Sequence, residues 1–283
     1  MDIAQIHRRF GPGGIRDFAS AYGRVGAITD DTQMTLFTAE GLIRSAVRHA
    51  GKGICHVPSV VHRAYVRWLR TQGYALPKLA SEIVSDAWLN DGWLIGIGAL
   101  WSRRAPGNTC LSALRNTKQM GEPAKNDSKG CGGVMRVAPV GLLANRDRAF
   151  ELGSQTAALT HGHSSGYLAA GFLALLIEEI VSGASLEEAI NTAKADLIAQ
   201  PGHEEVLKAV ENAEALARLG GANGMVSKLG QGWVAEEALA IGLYCTLAAP
   251  DFEQALILAV NHSGDSDCWG NQSPNISRPG QST

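Results

Sequence analysis

Residues 32–50 read TQMTLFTAEGLIRSAVRHA, and the spacing of the apolar positions decides the fold class. Leu36, Phe37, Ile43, Ala46 and Val47 fall on one side of a 3.6-residue turn, and Gln33, Glu40, Arg44 and Arg48 fall on the other. That is the pattern of an amphipathic α-helix with its apolar side inward. Working outward, comparable stretches predict helices near 57–72, 80–101, 146–160, 164–182, 185–199, 203–219, 233–248 and 251–261. Ser185 with Glu188 three residues on is a capping-box start, and Asp251 before FEQALILAV is a second N-cap. No sustained alternation of apolar and polar residues marks a strand, no Asn-Gly or Asp-Gly pair marks a hairpin, and no fixed-period repeat is present. The expectation is an all-α fold, a compact multi-helix orthogonal bundle in one domain.

Bulk properties exclude several function classes. The chain has 283 residues, 45% of them hydrophobic and 18% charged, with a formal net charge of -2. No global field draws such a protein to nucleic acid or anionic lipid, so a nucleic-acid ligand would need a local basic groove. Its five cysteines are scattered without Cys-x-x-Cys spacing, against a disulfide framework or structural zinc. MDIAQIHRRFG has no apolar signal core, and the most apolar stretch, Tyr167 to Val181, is short for a bilayer and carries Glu178 and Glu179. A cytoplasmic protein without membrane contact is expected.

Three polar constellations interrupt the helical pattern. Thr29-Asp30-Asp31-Thr32 opens the first strong helix. One carboxylate suffices to cap a helix, and two adjacent anions repel, so the pair is better explained by a cation between them. Hard divalent ions take such carboxylate and hydroxyl oxygens. In the segment 261–267, NHSGDSD, Asp265 and Asp267 lie two apart, and in extended chain both reach one side. Four carboxylates from two distant segments suggest a two-metal site, which can lower the pKa of a bound water and clamp anionic oxygens. Residues 126–136, NDSKGCGGVMR, bring three glycines together before an apolar run, and glycine lets backbone amides approach a phosphate closely. A plain turn would use the same residues. The segment lacks the Gly-Lys-Ser/Thr ending of a Walker loop. In Thr160-His161-Gly162-His163, either imidazole could meet a ligand or cap the next helix. Arg136 reads as a structural brace, and Cys131 as a small packing residue without a base to activate it.

Five segments in order, GAITDDTQMTLFTAEGL (26–42), RRAPGNTCLSAL (103–114), NDSKGCGGVMRVAPVG (126–141), LTHGHSSGYLAAGFLALLI (159–177) and AVNHSGDSD (259–267), resemble the ADP-ribosylglycohydrolases. Within that family they resemble the branch that reactivates dinitrogenase reductase. It implies an all-helical fold with a binuclear magnesium, or manganese, centre at helix ends and loops. By this resemblance Thr29, Asp30, Asp31, Asp265 and Asp267 ligate metal, with Asp30 and Asp31 also catalytic. Ser128, Gly130, Gly132 and Gly133 hold the ADP-ribose phosphates, and His161 contacts the substrate. The implied reaction is hydrolysis of the glycosidic bond at C1″ of ADP-ribose on a modified protein, with an arginine linkage favoured.

The resemblance covers residues 1–267 and begins after the first helix expected of the family, which carries a Gly-Asp-x-x-Gly element and a Glu. Residues 268–283, CWGNQSPNISRPGQST, depart from the family and read as a disordered tail. A shifted reading frame, an insertion or a cloning scar would each produce it. Helices missing at both ends would leave apolar faces exposed and favour self-association. They also leave open a second reading, a catalytically impaired remnant acting as an ADP-ribose-binding module, and a third, a two-metal phosphoesterase.

Overall fold

The computed structural model describes residues 1–79, 91–220 and 225–265. Within them the fold is all-α. The helices are α1 (Ile3–Phe10), α2 (Asp30–Lys52), α3 (Val57–Thr71), α4 (Asn108–Arg115), α5 (Ala138–Leu143), α6 (Arg146–Ala158), α7 (Ser164–Val181), α8 (Leu186–Ile198), α9 (Glu204–Leu219), α10 (Ala235–Ala248) and α11 (Phe252–Val260). Both predicted caps form: Ser185 and Glu188 make a reciprocal capping box, and Asp251 accepts the Gln254 amide at 2.8 Å. The axis of the fold is α7, packed against α5, α6, α8 and α10. Leu168, Phe172, Leu173, Leu175, Leu176 and Ile177 are buried all round it. Each contributes roughly 1.5–3 kcal/mol by leaving water. Starting at Ser164, α7 is longer than the apolar stretch suggests and has the length and hydropathy to cross a membrane, but its sides are taken up by neighbouring helices.

Helix α2 forms where the periodicity places it, with Phe37 buried and Arg48 exposed as expected, yet its buried side is rotated from the expected one. Gln33 and Glu40 are 0% and 1% exposed, whereas Leu36, Ile43 and Val47 are 39%, 45% and 68% exposed. The buried side of α2 runs through Gln33, Met34, Phe37, Thr38, Glu40 and Gly41. Its polar members are accepted inside because each is hydrogen-bonded. Gln33 Oε1 accepts from Trp68 Nε1 and Gln72 Nε2, both at 3.1 Å, and Gln33 Nε2 donates to the Ser102 carbonyl at 3.0 Å. Glu40 takes Arg67 Nη2 at 2.6 Å and Nε at 3.1 Å, and the Leu94 amide at 3.1 Å. The network ties α2 to α3 and leaves an apolar stripe of α2 at the surface.

Two further expectations are corrected. No α-helix covers 91–101; Leu94–Gly96 and Gly98–Leu100 are single 3-10 turns, and 80–90 lie outside the described residues. Gly92, Gly96 and Gly98 punctuate that run, and each glycine in a helix costs about 1 kcal/mol relative to alanine. A hairpin does exist, pairing β1 (Ser20–Ala21) with β2 (Arg24–Val25). Its turn puts Tyr22 at φ 51° and Gly23 at φ 77°, a type-I′-like geometry that tyrosine seldom adopts and that no Asn-Gly signal announces. Helices α1, α4 and α5, each eight residues or fewer, were also not anticipated.

Candidate functional site

The start of α2, the start of α4, the glycine loop, the chain just after α6 and the chain after α11 meet around one cavity of about 410 Å³. Asp30, Asp31 and Asp265 line one part of it, and Gly130, Gly132 and His161 line another. The sequence therefore found side chains from four distant segments that share one space. A cavity of about 620 Å³ between α1 and α11 contains none of them.

On the carboxylate wall, Asp30 and Asp31 occupy the first turn of α2 and are each 4% exposed. Thr29 is the N-cap by position, but its side chain makes no capping bond. The backbone of Asp30 is anchored through its amide to the Arg104 carbonyl at 2.9 Å, and its Oδ2 accepts the Gly107 amide at 3.2 Å. Gly107 immediately precedes α4, so the positive end of that helix faces the carboxylates. Asp265 comes from the other end of the chain. Its amide donates to the Gln231 carbonyl at 2.8 Å, and its Oδ2 accepts from Cys131 Sγ at 3.2 Å. The preceding loop is clamped to the N-terminal segment: Asn261 exchanges two 2.7 Å bonds with the Ile15 backbone, and Ser263 Oγ accepts the Ile3 amide at 3.0 Å. Asp267 lies outside the described residues. Among the described residues, no group of three or more His, Cys, Asp or Glu side chains is close enough together to hold a metal ion. The donors on this wall are nevertheless hard oxygens, two of them nearly buried anions side by side, which suits magnesium or manganese in kind.

A second wall, joined to the first through Cys131 and Asp265, is the glycine loop, where Cys131–Arg136 forms a 3-10 turn. A Cβ on Gly132 would stand 2.8 Å from His161 Cε1 and 2.9 Å from Cys110 Sγ, so only glycine fits between them. The four loop positions separate here. Gly130 and Gly132 line the cavity, whereas Gly133 faces away, against Ala157 and the Gly166 carbonyl. Ser128 stands behind the loop, its hydroxyl 3.2 Å from Thr109 Oγ1 and 3.4 Å from the Gly130 amide. The Cys131 amide is spent on the Trp233 carbonyl at 3.2 Å.

His161 is 1% exposed, with Nδ1 2.8 Å from Thr160 Oγ1. Burial first, and then the Arg136 guanidinium, depress its pKa from the ordinary 6.5 to about 3, so the ring is neutral. His163 is a cap instead, accepting the Ser165 amide on Nδ1 at 3.1 Å. Arg136 is a brace, as its position suggested, and is 1% exposed. It donates to the Gly132 carbonyl, to Tyr65 Oη at 3.0 Å, to Thr160 Oγ1 at 2.6 Å and to the Thr156 carbonyl at 3.3 Å. Burial also pushes the Cys110 thiol up to about 11, which keeps it protonated.

Asn108, Thr109 and Trp233 also line the cavity and were not anticipated. The first two sit in RRAPGNTCLSAL, where neither carries a charge that would draw notice. Trp233 follows a Gly-Gln-Gly turn and carries no local signal, yet its ring is 58% exposed at the cavity. Its loop joins the two walls. The Glu237 carboxylate accepts the Gln231 and Gly232 amides at 3.0 Å each, and the loop carbonyls then hold Asp265 and Cys131.

A family model described as ADP-ribosylglycohydrolase matches residues 1–271. No curated protein matches the chain. A solved structure called "ADP-ribosylglycohydrolase-related protein complex" shares the fold, with a TM-score of 0.61 and 24% identity, over 94% of this chain and 80% of that one.

Proposed function

This chain belongs to the ADP-ribosylglycohydrolase family, and on that premise we propose that it hydrolyses the bond between C1″ of ADP-ribose and a protein acceptor, an arginine side chain by preference. The carrying observation is the single cavity that Asp30, Asp31 and Asp265 share with Gly130, Gly132 and His161.

Asp30, Asp31 and Asp265, with Thr29 and Asp267 beside them in sequence, would hold two magnesium or manganese ions. Bound there, the ions would supply Lewis acidity toward ribose hydroxyls and a water. The protein's own groups divide the remaining work. The start of α4, with Asn108 and Thr109, offers donors and a positive helix end to the diphosphate, next to the Gly130–Gly132 wall. Ser128 and Gly133 support that wall from behind. His161, neutral and walled in, donates a hydrogen bond to a ligand oxygen. The exposed indole of Trp233 presents an aromatic face to the adenine. Asp30 or Asp31 accepts the proton of the attacking water.

A binding module without turnover and a two-metal phosphoesterase would use the same cavity. The products separate these readings. Incubation with an arginine-ADP-ribosylated protein, followed by chromatography, should yield intact ADP-ribose. AMP or phosphate would indicate a phosphoesterase, and tight ADP-ribose binding without product would indicate the module.

A further inference from the structure

The Thr160 hydroxyl stands between a buried cation and the ring of His161. Arg136 Nη2 donates to Thr160 Oγ1 at 2.6 Å, so one lone pair of that oxygen is occupied. The hydroxyl proton has two acceptors in reach, His161 Nδ1 at 2.8 Å and the Ala157 carbonyl at 3.4 Å. The shorter bond takes it, because 3.4 Å is beyond the usual range for a hydroxyl donor. A neutral imidazole that accepts on one nitrogen carries its proton on the other. The Nε2 edge meets the glycine wall, where the positions that Cβ atoms of Gly130 and Gly132 would fill lie 3.4 and 3.2 Å from Nε2. With no side chains there, a ligand oxygen can reach it. Arg136 also holds the Gly132 carbonyl, so one guanidinium sets both the loop and the ring.

We propose that Thr160 and Arg136 are positioning residues that fix His161 as the Nε2–H tautomer, with its N–H aimed across the glycine wall at an oxygen of the bound ligand. The proposal rests on the functional reading above for the identity of that ligand, but the tautomer itself does not depend on it.

The test uses the full chain labelled with ¹⁵N-histidine. Long-range ¹H–¹⁵N correlation spectra distinguish a protonated Nδ1 from a protonated Nε2 without any ligand, and His161→Gln assigns the signal. The wild type and Thr160→Ser should both show His161 protonated on Nε2 from pH 5 to 8. Thr160→Val, which keeps the shape and loses the hydroxyl, should move the proton to Nδ1 or mix the two forms. Its affinity for free ADP-ribose, by calorimetry, should fall on the order of tenfold, as when an orienting partner of a binding histidine is lost, and Thr160→Ser should restore it. A wild-type signal protonated on Nδ1 would overturn the proposal. So would an unchanged tautomer in Thr160→Val, whether or not affinity falls, because the threonine would then act only through packing. The expected tautomers in a wild type that binds no ADP-ribose would leave the positioning intact and remove the functional reading.

Discussion

His161 and Asp265 face the same cavity but are secured in different ways. His161 is held from within the core, by a threonine that is itself held by a fully buried arginine, and that arginine spans the glycine loop, α3 and the end of α6. Asp265 is held near the chain's end, by one backbone bond to Gln231, a thiol, and a loop clamped to the N-terminal segment. The difference teaches where each kind of chemistry can be placed. A hydrogen-bond donor that must point one way benefits from a dry, over-determined setting. Carboxylates meant for a hard cation need only stand on rigid backbone with their oxygens toward the cavity, since an ion gathers its own ligands.

The sharpest way to break this comparison is at Arg136. Arg136→Leu strands the Gly132 carbonyl in the core and takes one partner each from the Tyr65 and Thr160 hydroxyls, which keep Thr38 and His161. Each buried polar group left unpaired costs about 1–3 kcal/mol. The expected loss is about 3–5 kcal/mol in urea unfolding, against less than about 1 kcal/mol for Asp265→Asn. Equal losses would erase the distinction between the walls.

Acid sharpens it next. His161 and His62 are both buried with pKa values depressed, to about 3 and about 4, in each case by burial first and Arg136 second. Both are neutral when folded and take up a proton near pH 6.5 when unfolded. Their contribution is therefore fully present above about pH 6.5 and is lost as pH falls toward about 4. The slope should be up to about 1.4 kcal/mol per pH unit for each group. Urea midpoints between about pH 7 and 4.5 should decline accordingly, and His62→Gln should flatten the curve. A flat wild-type curve would mean that these rings are not held neutral.

The smallest effect is expected at the other wall. Gly264 has φ +120°, and a Cβ there would meet the Gln231 carbonyl at 2.1 Å, so Gly264→Ala must displace the loop that carries Asp265. Magnesium affinity, followed by calorimetry, should weaken on the order of tenfold, while the His161 signals in NMR stay where they were. Movement of both would show that the two walls are one rigid unit.

What could be read in the sequence follows the same division. Asp30 and Asp31 were legible because adjacent carboxylates repel unless something offsets their charge, and Asp265 because it stands in a second acidic pair. The glycines were legible because close approach of backbone to a ligand calls for them, whereas the crowding of Gly132 by His161 and Cys110 was not. Arg136 was legible as a brace but its reach was not, since nothing in the sequence says that one guanidinium holds the glycine loop, Tyr65 and Thr160 together. The orientation of α2 was misread for a related reason. Hydrophobic periodicity assumes that polar side chains go outside, and Gln33 and Glu40 go inside because Trp68, Gln72 and Arg67, on or just after α3, complete their hydrogen bonds. Trp233 had no signal at all, because its place at the cavity comes from a loop held by Glu237 and by the two segments it joins.

The most direct test of the central claim is ADP-ribose release from an arginine-ADP-ribosylated protein, with magnesium or manganese and with EDTA, for the wild type and Asp30→Asn. The account predicts metal-dependent release that falls by on the order of a hundredfold or more in Asp30→Asn, with unfolding unchanged. Release that survives EDTA, or that Asp30→Asn leaves intact, would contradict it.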